Sequence, residues 1–143
     1  MRTIASALAI VVLALCAIAA QQTSPEDPAV RKAIEDHYFK AISTGNGEPL
    51  RGMFVDEGRM MWVQDGRLRV RTSAEFIGGF NGQPPRDEAK RKRRIVMTDV
   101  TGDTAIAKVE LDHPGVFFTD YFTLHKIGDG WKIVHKSYHR RPQ

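Results

Sequence analysis

From Asp103 to His139 the chain alternates apolar and polar residues through three consecutive runs, Asp103 to Asp112, Val116 to Ile127 and Gly130 to His139. Alternation with a period of two marks strands whose two faces meet different surroundings. The last two runs are joined through Gly128-Asp129-Gly130, and all are long enough to curl around something. Upstream the period changes. Val30, Ala33, Ile34, Tyr38, Ala41 and Ile42 recur at helical spacing, Asp27 is placed to cap and Pro28 suits a first turn, which predicts a helix over about 28–43. Gly45 and Gly47 end it. Pro49 then opens a short second helix carrying Leu50, Met53 and Phe54, which stops by Gly58.

Asp65-Gly66 between Arg59 to Gln64 and Arg67 to Thr72 is a strong two-residue hairpin signal. Ser73 is positioned to cap a third helix that runs through Phe76 to Phe80. Gly78, Gly79, Gly82, Pro84 and Pro85 make the loosest internal stretch, suited to a rim loop. A further strand is expected over about 93–100. The order is helix, helix, strand, strand, helix and four strands. This predicts a single α+β domain with helices laid on one bent antiparallel sheet, which makes a cup.

The first residues do not fit that scheme. Met1-Arg2, the apolar run Ile4 to Leu15 and the Ala17-Ile18-Ala19-Ala20 site before Gln21 predict a secretory signal over 1–20, cleaved near Ala19/Ala20. A flexible leader over 21–27 and the folded domain over 28–140 follow, in the periplasm or outside the cell. The membrane is met only transiently, during export. An uncleaved anchor is the alternative, although polarity begins at Gln21, too early for a spanning helix. Leu13-Ala14-Leu15-Cys16 resembles a lipobox, but Leu15 is not the small residue expected before a lipidated cysteine.

Cys16 is the one cysteine, so the exported domain has no disulfide scaffold, thiol chemistry or cysteine-based metal site. The formal net charge is +4, and much of the excess lies in Lys90-Arg91-Lys92-Arg93-Arg94. In an exported protein that run reads as a solvated strand entrance or a contact for anionic ligands, and nucleic acid is not an expected partner.

The element order, together with Ala105-x-Ala107-x-Val109-Glu110, Asp120-Tyr121-Phe122-x-Leu124 and Gly128-Asp129-Gly130-Trp131-Lys132-Ile133-Val134, resembles the nuclear transport factor 2-like superfamily. Within it the chain is most similar to the small domains called "putative lumazine-binding" proteins, over about Val30 to Arg140. The resemblance implies a cone, α-α-β-β-α-β-β-β-β, with a curved and mainly antiparallel sheet around a long N-terminal helix. It also implies a pocket at the open end and a homodimer formed through the outer sheet face. The superfamily includes ketosteroid isomerases, polyketide cyclases, dehydratases and members without known activity, so the fold alone does not fix a function.

Asp120 shares a strand face with Phe118, Phe122 and Leu124, which places a carboxylate among apolar side chains. A carboxylate kept from water can shuttle a proton. With unbroken alternation Trp131, Ile133, His135, Ser137 and His139 share one face of the last strand, so Asp120 falls near Ser137 or His139 with His135 deeper, a candidate catalytic dyad of Asp120 and His135. A bulge in the Gly128-Asp129-Gly130 connection would send every one of these side chains to the other face. The bland alternatives are an Asp120 that binds a backbone amide or a rim arginine, and exposed histidines.

Tyr38, Trp62, Phe76, Phe80, Phe118, Tyr121 and Tyr138 are candidate cavity walls or core filling, and Phe122, Ser137 and His139 complete the candidate ligand-binding set. His37, His113, His125, His135 and His139 lack metal-site spacing, and no phosphate-cradling or nucleophile motif is present, so no metal and no cofactor are expected. Three functions remain open: binding of a small, partly apolar organic molecule, proton-transfer catalysis of the isomerase, dehydratase or cyclase type, and a dimeric interaction module.

Overall fold

A computed structural model describes residues 26–143. The expected signal over 1–20 and nearly all of the leader lie outside them. The first helix, α1, is unbroken and has three parts: α-helical Asp27–Ala33, π-helical Ile34–Phe39 and α-helical Lys40–Thr44. Gly45 closes it in the left-handed region with φ 67°, and a Cβ there would lie 1.8 Å from the Gln83 carbonyl oxygen. That approach ties the rim loop to the helix end, where the Gly82 N–H donates to the Gly45 carbonyl at 2.8 Å.

A short α2 (Glu48–Arg51) leads into β1 (Phe54–Gln64), β2 (Arg67–Thr72), α3 (Ser73–Gly78), a 3-10 turn (Glu88–Lys90), β3 (Lys92–Thr101), β4 (Thr104–His113), β5 (Val116–Ile127) and β6 (Gly130–Pro142). Two expectations change here. Met53 and Phe54 are not helical: the Ile133 N–H donates to the Met53 carbonyl at 2.7 Å, and Phe54 pairs with Ile133, so the chain leaves α2 directly for the sheet. Thr72, rather than Ser73, caps α3. Its hydroxyl accepts from the Glu75 N–H at 3.2 Å while the Glu75 carboxylate accepts from the Thr72 N–H at 2.7 Å, a reciprocal box that holds two otherwise unpaired donors. The freed Ser73 hydroxyl donates to the Val55 carbonyl at 2.9 Å and so fastens α3 to β1.

The six strands form one sheet in the order β2-β1-β6-β5-β4-β3, antiparallel except for β1 beside β6. Two bulges bend it. Leu124 pairs with Ile133 and Thr123 with His135, so Val134 is the extra residue of β6. Ile95 pairs with Val109 and Met97 with Lys108, so Val96 is the extra residue of β3.

The concave face receives the apolar stripe of α1. Val30, Ile34, Tyr38 and Ala41 pack in one cluster with Ala105, Ala107, Val109, Phe122, Leu124, Trp131 and Ile133, all buried. Each large apolar side chain removed from water here contributes about 1.5–3 kcal/mol. Ala105 and Ala107 are the small members of that set, and they leave the space that the helix occupies. Asp27 anchors the start of α1 by accepting from Thr98 on β3 and from Arg31 at 2.8 Å. Burial works against its carboxylate, but those bonds and the Arg31 charge together hold its pKa below the usual range.

Candidate functional site

The core fills only part of the cup. Toward its open end lies a cavity of about 800 Å³, bounded by α1, the inner faces of β1, β5 and β6, α3 and the rim loop. Its size suits a small organic molecule. Aromatic rings make the walls: Trp62 stacks on Tyr138 with centroids 5.3 Å apart, Phe76 meets Phe80 edge to face at 5.3 Å, and Phe118 lies 6.3 Å from Tyr138. Arg71 and Arg86, both exposed, add donors at the mouth, and Arg91 and the buried His113 add polar atoms to the lining. Arg91 is paired with Asp87 at 2.8 Å, whereas Arg71 lies over the Trp62 ring at 5.6 Å.

The polar end of the cavity is built by three side chains from three elements. Tyr38 comes from the π-helical turn of α1, Asp120 from β5 and Lys136 from β6. The Tyr38 hydroxyl donates to Asp120 Oδ2 at 2.7 Å, and Lys136 Nζ donates to the Tyr38 oxygen at 2.5 Å and lies 3.0 Å from the same Oδ2. All three residues are buried, Asp120 completely, yet Tyr38 and Lys136 also line the cavity. Asp120 Oδ1 is buried and accepts no hydrogen bond from the described residues. Lys136 Nζ is surrounded by rings, 5.0 Å from the centroids of Tyr38 and Tyr138 and 5.4 Å from that of Phe76. Burial, and then the Asp120 charge, push the Tyr38 hydroxyl well above the ordinary phenol range, so it stays protonated and donates.

The Val134 bulge decides which residues meet here. Opposite the inner residues Leu124, Phe122 and Asp120 stand Ile133, Lys136 and Tyr138. His135, Ser137 and His139 pair instead with Thr123, Tyr121 and Thr119, on the other face of the sheet. The expected approach of Asp120 to Ser137 or His139 therefore does not form, and His135 is not deep in the cup. The turn between β5 and β6 is a tight two-residue one, Ile127 pairing with Gly130, so the phase change sits inside the strand and not in the Gly128-Asp129-Gly130 connection.

Of the other candidates, Tyr38, Trp62, Phe76, Phe80, Phe118 and Tyr138 line the cavity. Phe122 is buried behind it, edge to face with Tyr38 at 4.9 Å, and Tyr121 is exposed on the outer face. Lys136, Arg71, Arg91 and His113 are cavity residues that strand alternation did not single out. One signal for Lys136 exists: Ile133-Val134 places two apolar residues side by side in an otherwise alternating strand, which is where a phase change can fall. His113 is buried, with Nε2 unbonded. Burial, then the positive charges of Arg91 and Arg93, lower its pKa, against the opposing pull of Asp87 and Glu88.

Comparison with known proteins follows the same lines. The sequence profile of the family described as "Putative lumazine-binding" matches residues 25–139. A curated protein named Aldolase FrzH, from a Cladobotryum species, is 28% identical over 108 residues, covering 74% of this chain and 85% of that one. A nuclear transport factor 2-like protein of unknown function from Silicibacter pomeroyi DSS-3 superposes with a TM-score of 0.69 at 25% identity, covering 80% of this chain and 94% of that one. Another, from Shewanella baltica OS155, gives a TM-score of 0.72 at 23% identity, covering 81% and 94%.

Proposed function

Because the chain belongs to the putative lumazine-binding family and has the nuclear transport factor 2-like fold, we propose that it binds a small, partly apolar organic molecule carrying an anionic group. The observation that carries this reading is the cavity itself: rings on its walls, arginines at its mouth, and a buried amine and phenol at its inner end. Rings supply apolar contact at low entropic cost, and the convergent polar groups set orientation. A ligand with its flat apolar body between Trp62, Phe80 and Phe118 presents one end to Tyr38 and Lys136 and the other to Arg71 and Arg86.

Titration calorimetry with aromatic carboxylates and their methyl esters tests it. Carboxylates should bind more tightly than the esters, and that preference should shrink in an Arg71→Ala/Arg86→Ala variant. Equal affinity of acid and ester, or heatless titrations across the panel, would rule the reading out.

A second reading, proton-transfer catalysis, draws on the Tyr38, Asp120 and Lys136 cluster and on the aldolase name of the 28% identical relative. Aldol chemistry, like isomerisation, needs a proton removed beside a carbonyl group. Asp120 remains its central residue, with Tyr38 and Lys136 as the partners in place of a histidine. Turnover of a carbonyl substrate that is lost in Asp120→Asn would select this reading over binding alone.

Export and pairing complete the proposal. The protein is exported with its signal removed, so N-terminal sequencing should begin near Gln21. It also forms a homodimer through the outer sheet face, where Val96, Met97, Ile106 and Tyr121 are exposed. Sedimentation should report twice the chain mass, and an Ile106→Glu/Tyr121→Glu variant should report one.

A further inference from the structure

Resting on the reading of the cavity as a ligand site, we propose that Lys136 is a nucleophile which forms an imine with the carbonyl carbon of a bound aldehyde or ketone. The position of the amine argues for this. Lys136 lines the cavity on a side chain only 7% exposed, with its Nζ set among aromatic faces. A lysine amine desolvated in an apolar pocket is the usual form of an imine-forming lysine. A buried ion pair is, in contrast, a poor device for stability, because apolar residues of similar volume serve as well.

The neighbours supply what the steps need. Asp120 Oδ2, 3.0 Å from Nζ, takes a proton from the ammonium and leaves a neutral amine with a free electron pair. That pair attacks the carbonyl carbon, a C–N bond forms, and the C=O π pair moves to oxygen. The Tyr38 hydroxyl, 2.5 Å from Nζ, is the acid within reach of that oxygen, and it regains its proton through its bond to Asp120. The adduct nitrogen, positively charged after the attack, then gives one proton to the regenerated Asp120 carboxylate; the carbinolamine expels its hydroxyl group as water with that proton, and the freed nitrogen pair closes the C=N bond. The sum is one carbonyl compound and one amine giving one imine and one water, with no redox partner. Asp120 Oδ1, buried without a hydrogen bond, gives the carboxyl group a second site for the proton while Oδ2 stays bonded to Tyr38. The arginines at the mouth restrict the substrate class to carbonyl compounds with an acidic group at the far end.

The test uses the full chain, 4-formylbenzoate as the probe and sodium cyanoborohydride, which reduces an iminium to a stable secondary amine. Peptide mass mapping should find one carboxybenzyl group on Lys136, formed roughly tenfold or more faster than on exposed lysines such as Lys32 and Lys40. Lys136→Arg should lose that adduct and keep the slow background. Labelling spread over the exposed lysines with Lys136 unmodified would overturn the proposal. Terephthalate, which has no aldehyde, is titrated in parallel. If it binds while Lys136 stays unlabelled, only the nucleophile fails and the binding reading stands; if it does not bind either, both fall.

Discussion

The Tyr38 hydroxyl and the Asp120 carboxylate are hydrogen-bonded at 2.7 Å across 82 residues of sequence, joining the middle of α1 to the centre of β5. The π-helical turn that carries Tyr38 belongs to the same feature, since wide turns of this kind re-aim a side chain within a helix and recur at functional sites. Removing the hydroxyl in Tyr38→Phe leaves Asp120 Oδ2 with Lys136 alone. A loss of about 1–3 kcal/mol is expected from the abandoned buried acceptor. Urea denaturation with an unchanged m-value would measure it, and an unaltered midpoint would mean that the bond holds nothing together.

Asp120 and Lys136 should behave as a unit. Asp120→Leu strands a buried cation and Lys136→Met strands a buried carboxylate, each at a cost of about 3–5 kcal/mol, whereas replacing both removes the uncompensated charge. The double variant is therefore expected to be more stable than either single one, with a coupling energy of about 1 kcal/mol or more in the thermodynamic cycle. Additive losses would show that the two groups do not sense each other.

His113 makes stability depend on pH in a definite direction. Its folded-state pKa is lowered, first by burial and then by Arg91 and Arg93, so the unfolded chain takes up the proton first as pH falls. The contribution is fully present above the ordinary histidine value of 6.5 and is lost progressively below it, until the folded-state pKa is passed. The chain holds five histidines, so the informative quantity is a difference. Thermal melts of the protein and of His113→Phe between pH 7.5 and 5 should diverge, with the shallower slope in the variant. Parallel curves would contradict the assignment.

The reciprocal cap at the start of α3 supports the cavity wall, because α3 carries Phe76 and is fastened to β1 through Ser73. Thr72→Ala is expected to cost about 1 kcal/mol, with Thr72→Ser close to neutral. Chemical denaturation distinguishes this from a cap that merely decorates an exposed turn, for which both variants would match the parent.

Much of the architecture was legible because it depends on local periodicity. The apolar stripe of α1, the Asp65-Gly66 hairpin and the alternation of β4 and β5 each follow from a rule that acts over a few residues. The beginning of β1 was not legible, because Phe54 joins the sheet through a partner almost eighty positions away, Ile133. The aromatic wall could be anticipated for the same reason as the core, since rings on inward faces either fill or line. The polar end could not. Tyr38 and Asp120 were each visible as candidates, but their meeting point and its third member depend on the extra residue at Val134, for which the adjoining apolar pair Ile133-Val134 is a sign without a direction. Lys136, which strand alternation did not single out, is almost wholly buried.

The extra residue in β6 also bears on how such a domain changes its chemistry. The segment from His135 to His139 encodes two alternative linings: imidazole, hydroxyl and imidazole in one phase, amine and phenol in the other. Holding Val134 outside the ladder selects the second set; the same residues with Val134 paired in regular alternation would turn the first set inward, while Trp131 and Ile133 keep the hydrophobic interior closed either way. One strand sequence can thus offer a guest quite different reagents, according to where it carries its surplus residue.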